Sequence, residues 1–321
     1  MSFREQLEKN QVWLYACVLP FAAGIGLLWP NATANLDPFI SFVLAILMYG
    51  MFAQIPFFRL REARSNRKFI YALLIVNYIA VPIIVWGLTR FLPADPALLL
   101  GVFLVLLTPC IDYVIVFTHL GRGDAKLVLI STPLLFVTQM LLLPFYLWAF
   151  MGKQAAEIMS VKPFLEAFIE LIVLPLLLAL LTQLWAKRQP LGTRILDTTS
   201  WLPVPFMALT LFVIVASQIS KLYTSFEFIS RVIPIYAAYM VIAPVVARIV
   251  SRLFRLEIGA GRALIFSAGT RNSLAVLPFA LALPEPINGL VSAVIVTQTV
   301  IELIGELIYI RLVPNVLMKE T

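Results

Sequence analysis

Charge is what this 321-residue chain has least of: only 13% of its residues are Asp, Glu, Lys or Arg, while 61% are apolar. Soluble proteins carry about 25% charged and about 45–50% apolar residues, so a soluble fold is excluded. Histidine occurs once, as His119, and cysteine twice, as Cys17 and Cys110. Those counts exclude a paired-histidine zinc motif, and two thiols inside separate apolar runs fit neither a disulfide framework nor a paired-cysteine metal spacing. Phosphate-binding loops and dinucleotide fingerprints are also missing, so no cofactor is expected and a pump carrying its own nucleotide domain is ruled out. The net charge of +7 is scattered between apolar runs rather than gathered into a patch, which argues against nucleic acid as a partner.

The apolar residues fall into ten windows, at 12–29, 39–58, 69–91, 97–118, 127–150, 163–186, 201–220, 232–250, 263–283 and 287–312. Each is long enough to cross a bilayer core of about 30 Å as a helix, and none alternates as a membrane barrel strand would. Arg4 and Lys9 are offset by Glu5 and Glu8, so the first window reads as a span and not as a cleaved signal. With ten spans, 18 of the 24 basic residues fall on the side of the N-terminus and five on the other, counting those near span ends with their loops, and the last, Arg271, lies mid-span. The positive-inside rule then puts both termini in the cytoplasm of a multi-pass protein of the plasma or inner membrane.

The two halves resemble one another. Val137-Thr138-Gln139 recurs as Val296-Thr297-Gln298, and Tyr78-Ile-Ala-Val-Pro82 resembles Tyr239-Met-Val-Ile-Ala-Pro244. Five spans per copy would invert the second copy, giving residues 1–160 and 161–321 as inverted repeats in one membrane domain. Inverted repeats mark secondary transporters, whose sites lie near the midplane where helices are broken. Breaks are expected in span four, at Thr108-Pro109-Cys110-Ile111-Asp112-Tyr113, and in span nine, at Ser267-Ala268-Gly269-Thr270-Arg271-Asn272-Ser273. The offset of the repeat sets Asp112 opposite Arg271, a candidate ion pair, since a lone charge at mid-membrane costs about 2.5–3.5 kcal/mol.

Candidate substrate ligands are therefore Cys110, Asp112, Thr270, Arg271, Asn272 and Ser273, with Cys110 the one able to hold a metalloid. Candidates for ion coupling are Asp112, Thr108, Gln139, Gln298 and Glu302. Gln298, Glu302 and Glu306 recur every fourth residue and share a helix face. Glu302 is the deep carboxyl, able to take up and release a proton, whereas Glu306 reads as interfacial and facing Arg311. Cys17 reads as packing, and His119 as part of a solvated turn.

Pro109-Cys110-Ile111-Asp112-Tyr113-Val-Ile-Val-Phe117 followed by Leu120-Gly121-Arg122-Gly123-Asp124 resembles the fourth-span signature of the arsenical-resistance (arsenite efflux) permeases of the bile acid:sodium symporter superfamily. The resemblance implies an all-α membrane fold of ten helices with broken, crossing spans four and nine. It also implies spans three to five and eight to ten moving as a core against a panel of spans one, two, six and seven. By it, Cys110 matches the arsenite-interacting cysteine and Glu302 the acidic residue of span ten. Span nine departs: Arg271-Asn272-Ser273-Leu274 stands where those permeases carry an Asn-Asn-Phe-Glu-like element. Efflux of arsenite or antimonite by proton antiport is the first expectation, and sodium-coupled symport of a small organic anion the alternative. Nothing in the short loops favours a non-transporting receptor. The implied partners are the metalloid or organic anion, a proton or sodium ion, the lipid bilayer and, compatibly, further copies of the chain.

Overall fold

The computed structural model describes residues 3–59, 66–111, 113–152, 166, 168–222, 226–285 and 287–319. They are helical throughout, and one isolated antiparallel bridge is the only β pairing among the described residues. Among the described residues six helices are long and apolar enough to cross a membrane: Arg67–Thr89, Ala125–Met151, Ile169–Ala186, Pro190–Ser217, Glu227–Leu253 and Ile287–Leu317. The segment Pro190–Ser217 is interrupted by a turn at 200–202, close to where the sequence begins a span at Trp201. Four apolar helices are shorter: Trp13–Leu28, Phe39–Gln54, Pro96–Leu106 and Ile258–Gly269. Pro96–Leu106 has 11 residues and Ile258–Gly269 has 12. At 1.5 Å per residue each spans a little over half of a bilayer core of about 30 Å.

The chain forms two compact units. One comprises Met1–Ile55, Met159–Phe226 and Leu277–Ala293. Within it, helices Phe3–Leu28 and Asp37–Gln54 pack on Pro203–Leu222. Gln183 donates to the carbonyls of Phe52, Ala53 and Ile55 at 3.2, 3.0 and 2.9 Å, satisfying the end of Asp37–Gln54 where no further helical N–H reaches.

The second unit comprises Pro56–Ile158, Glu227–Val276 and Val294–Thr321. Prolines shape it in a traceable way, because a helical proline lacks an N–H and pushes away the carbonyl four residues earlier. For Pro82 that carbonyl belongs to Tyr78, which sits in a π-turn, Val76–Ala80, and accepts from the Tyr146 hydroxyl at 2.5 Å. For Pro244 it belongs to Met240, which accepts from the Tyr309 hydroxyl. Two further tyrosine hydroxyls bind carbonyls of other helices: Tyr78 donates to the Leu135 carbonyl at 2.6 Å and Tyr236 to that of Val294 at 3.1 Å.

Three segments that the charge count assigns to one face meet at one end of this unit. The buried Arg262 donates to the carbonyls of Arg122 and Met318, at 3.0 Å each from Nη1 and Nε, and the Asp124 N–H donates to the Gly259 carbonyl at 2.9 Å. The Gly-Asp turn of the sequence signature has a structural explanation here. A side chain at Gly121 would run into the Phe266 ring, Arg122 holds a left-handed φ of 56°, and Asp124 caps helix Ala125–Met151 by accepting from the Leu127 N–H at 3.1 Å. Asp124→Ala is expected to cost about 1 kcal/mol, read as a fall of about 2 °C in thermal midpoint with transport per folded molecule unchanged.

Candidate functional site

The site is built where two helices stop short. Thr108 precedes a proline and is thereby driven out of the helical region, and Pro109 has no N–H to continue the ladder, so the first half-helix ends at Leu106 and helix resumes at Val114. In the second half the helix ends at Gly269, Thr270 is extended at φ −90° and ψ 130°, and helix resumes at Ser273. Extended backbone inside a membrane protein must find internal partners. The two segments supply each other: Pro109 and Arg271 form an antiparallel bridge, flanked by Cys110 N–H to Thr270 carbonyl at 3.1 Å and Asn272 N–H to Thr108 carbonyl at 2.9 Å. Asn272 also caps the resuming helix, its Oδ1 accepting from the Ala275 N–H at 3.3 Å.

Glu302 closes over this crossing from helix Ile287–Leu312 and is fully buried. Its Oε2 accepts from the Arg271 backbone N–H at 2.7 Å and from Gln298 Nε2 at 2.5 Å, and its Oε1 accepts from the Tyr113 hydroxyl at 2.6 Å. Tyr113 also lies 3.1 Å from the Arg271 carbonyl, so one phenol ties the carboxylate to the crossing backbone. One turn further, Glu306 is equally buried, with its Oε1 accepting from the Thr270 hydroxyl at 2.9 Å. This corrects the interfacial reading of Glu306. Glu306 points into the protein toward Thr270, and not toward Arg311 as expected. Gly269 is required here by close approach, since a Cβ would meet the Tyr309 ring at 2.5 Å.

The Arg271 side chain is fully buried and does not face Glu302. Its Nη2 donates to Asn77 Oδ1 at 2.8 Å and lies 2.6 and 2.7 Å from the carbonyls of Ser267 and Ala268, while Nη1 reaches the Leu106 carbonyl at 3.5 Å. The expected partner, Asp112, lies outside the described residues. Cys110 is buried and not in a disulfide. Thr108 turns its hydroxyl back onto its own helix, donating to the Leu104 carbonyl at 2.9 Å. Gln139 is wholly buried with both amide atoms unpartnered, as are Asn272 Nδ2, Ser273 Oγ, Gln298 Oε1 and Glu306 Oε2. A buried polar group without a partner costs about 1–3 kcal/mol, so these atoms are available to water or to a polar ligand. No cluster of three or more metal-ligating His, Cys, Asp or Glu residues occurs among the described residues.

Sequence reasoning overlooked Asn77, Tyr113 and Tyr239. Asn77 lies in the π-turn, donates to Ser267 Oγ at 3.1 Å and accepts from Arg271; Tyr239 donates to the Ala268 carbonyl at 2.7 Å and lies under the guanidinium, its ring centroid 5.7 Å away. The signal that could have found Asn77 and Tyr239 was the two similar Tyr…Pro elements, the first immediately preceded by Asn77 and the second opened by Tyr239.

Apolar membrane helices enclosing a broken-helix crossing, with buried carboxyls at the break, define a multi-pass membrane transporter. The model of the Sodium Bile acid symporter family matches residues 41–225, more than half of the chain, and the chain belongs to that family. The search of curated proteins gave no match.

Proposed function

We propose that this protein is a secondary active transporter that expels arsenite and antimonite in exchange for protons. The observation that carries the reading is the placement of a buried thiol, Cys110, on backbone that bridges to Thr270, next to the Arg271 N–H held by Glu302. A thiolate prefers a soft metalloid, and an acidic side chain at depth is the natural carrier of the exchanged proton. Around them, Asp112, Thr270, Arg271, Asn272 and Ser273 complete the substrate site, and Thr108, Gln139 and Gln298 assist Glu302 and Asp112 in coupling. The protein crosses the inner or plasma membrane ten times with both termini inside, and residues 1–160 and 161–321 are inverted repeats. Support comes from tyrosine-to-carbonyl hydrogen bonds that have counterparts in the other half: Tyr146 to Tyr78 with Tyr309 to Met240, about 162 residues on, and Tyr78 to Leu135 with Tyr236 to Val294, about 159 residues on. Alternating access moves spans three to five and eight to ten against the rest.

A second reading, sodium-coupled uptake of a small organic anion, is favoured by the family match itself. There Arg271 meets the anion and Glu302, Gln298 and Thr108 hold sodium. Everted vesicles from a host lacking its own exporters separate the two. The first reading expects arsenite and antimonite, but not arsenate, to move under an imposed pH gradient with no sodium present. Organic-anion flux that follows a sodium gradient, with no metalloid movement, overturns it.

A further inference from the structure

We infer that the Arg271 guanidinium is a tethered cation seated in an oxygen cage that would otherwise hold a free monovalent cation, so that this position in the transport cycle needs no sodium. The inference rests on the chain being a transporter and deepens that reading by fixing what neutralises the crossing.

Half-helices that end inside a membrane leave their last carbonyls pointing at one another, and the negative ends of their dipoles with them. In secondary transporters such carbonyls and half-helix C-termini coordinate the coupling cation. Here both C-termini converge on one side chain. Leu106 ends the first half-helix, Ser267 and Ala268 lie in the last turn of the second, and Asn77 Oδ1 comes from the π-turn of a third helix. Three of these oxygens sit 2.6–2.8 Å from Nη2. That nitrogen carries two hydrogens, so it cannot donate fully to all three. Short contacts from three oxygens around one positive centre are the surroundings of a bare cation more than of a directional donor.

A plain helix cap would use only the two carbonyls of its own turn. The further acceptors come from two other helices, and Tyr239 offers its ring face from a fourth. The guanidinium Nε makes no hydrogen bond, which a site designed around the arginine fork alone would have used. The charge is thus permanently supplied, and exchange falls to the carboxyl on the other side of the bridge.

The test is a thermal-shift comparison on the purified full chain in detergent, independent of substrate and of flux. Wild-type protein is expected to have the same midpoint in sodium, potassium and choline chloride. Arg271→Ala empties the cage and is expected to melt lower in choline, with millimolar sodium or guanidinium raising the midpoint by about 3 °C. Should Arg271→Ala not accumulate, Arg271→Gln expressed and extracted in sodium takes its place. A variant that sodium stabilises no more than it stabilises the wild type overturns the inference, as does a variant that responds identically to all the salts. Failure of the transporter reading would show instead as absent flux with these shifts intact.

Discussion

Cys110→Ser is expected to return arsenite and antimonite extrusion to the level of a host without the protein, while the variant accumulates and melts like the wild type. The substitution replaces Sγ by Oγ, which is smaller and does not form a thiolate, so the soft acceptor loses its one soft ligand. Little else changes. Cys110 anchors the crossing through its backbone N–H, which donates to the Thr270 carbonyl and is untouched by a side-chain change. A near-isosteric swap of this kind costs less than about 1.5 kcal/mol in a packed interior, well below what unfolds a domain. Cys17, exposed and remote in sequence from the breaks, provides the matched control: Cys17→Ser should extrude normally. Measurements are growth in graded arsenite and uptake into everted vesicles, normalised to protein amount. Undiminished extrusion by Cys110→Ser would sink the metalloid reading.

The parts of the site legible in the sequence are those where covalent structure dictates conformation. Proline at 109 removes a helical N–H in a run that also carries Thr108 and Asp112, and a polar run at 267–273 flanked by apolar residues has to be enclosed. Both interruptions, at 107–113 and 270–272, fall where those rules put them. Side-chain partnerships were not legible, because they depend on which face of a third helix is presented. Asn77 sits among apolar neighbours at 76–81, and only the π-turn ahead of Pro82 turns it toward Arg271. Charge arithmetic likewise gave no hint that four carbonyl or amide oxygens lie around the Arg271 side chain or that its backbone N–H meets Glu302. Backbone carbonyls carry no sequence signature, so a cation satisfied by them is invisible until the chain is folded. The Tyr…Pro elements could be aligned by letter, but the carbonyls that Pro82 and Pro244 displace and a distant tyrosine recovers carry no such signature.

Glu302→Gln is expected to abolish pH-driven extrusion while leaving exchange of internal for external arsenite at equal pH on both sides. The carboxylate accepts three hydrogen bonds, from Tyr113, Gln298 and the Arg271 backbone. An ionised carboxylate is acceptor-only, so the arrangement fits that form; a proton on Oε2 would set a donor against the Arg271 N–H and Gln298 Nε2. Protonation therefore works directly on the bridge that joins the two interrupted helices, and this supplies the differential contact that a coupled conformational change requires. Glutamine reproduces the shape and keeps one acceptor oxygen, and Gln298 can turn its unpartnered Oε1 toward the new amide. The fold should survive with a loss of about 1–3 kcal/mol, the scale of one hydrogen bond to a charged group. What glutamine cannot do is pick up and release a proton, so it holds the crossing in one state of charge. Glu302→Ala is the harsher control: the Arg271 N–H and Gln298 Nε2 lose their acceptor at about 1–3 kcal/mol each and the Tyr113 hydroxyl keeps only the Arg271 carbonyl, so the protein should fail to accumulate. Counterflow retained in Glu302→Gln, with pH-driven flux lost, assigns the proton to this carboxyl. If a pH gradient still drives the Gln variant, the proton travels elsewhere, and Glu306, buried one turn away with Oε2 unpartnered, becomes the group to test.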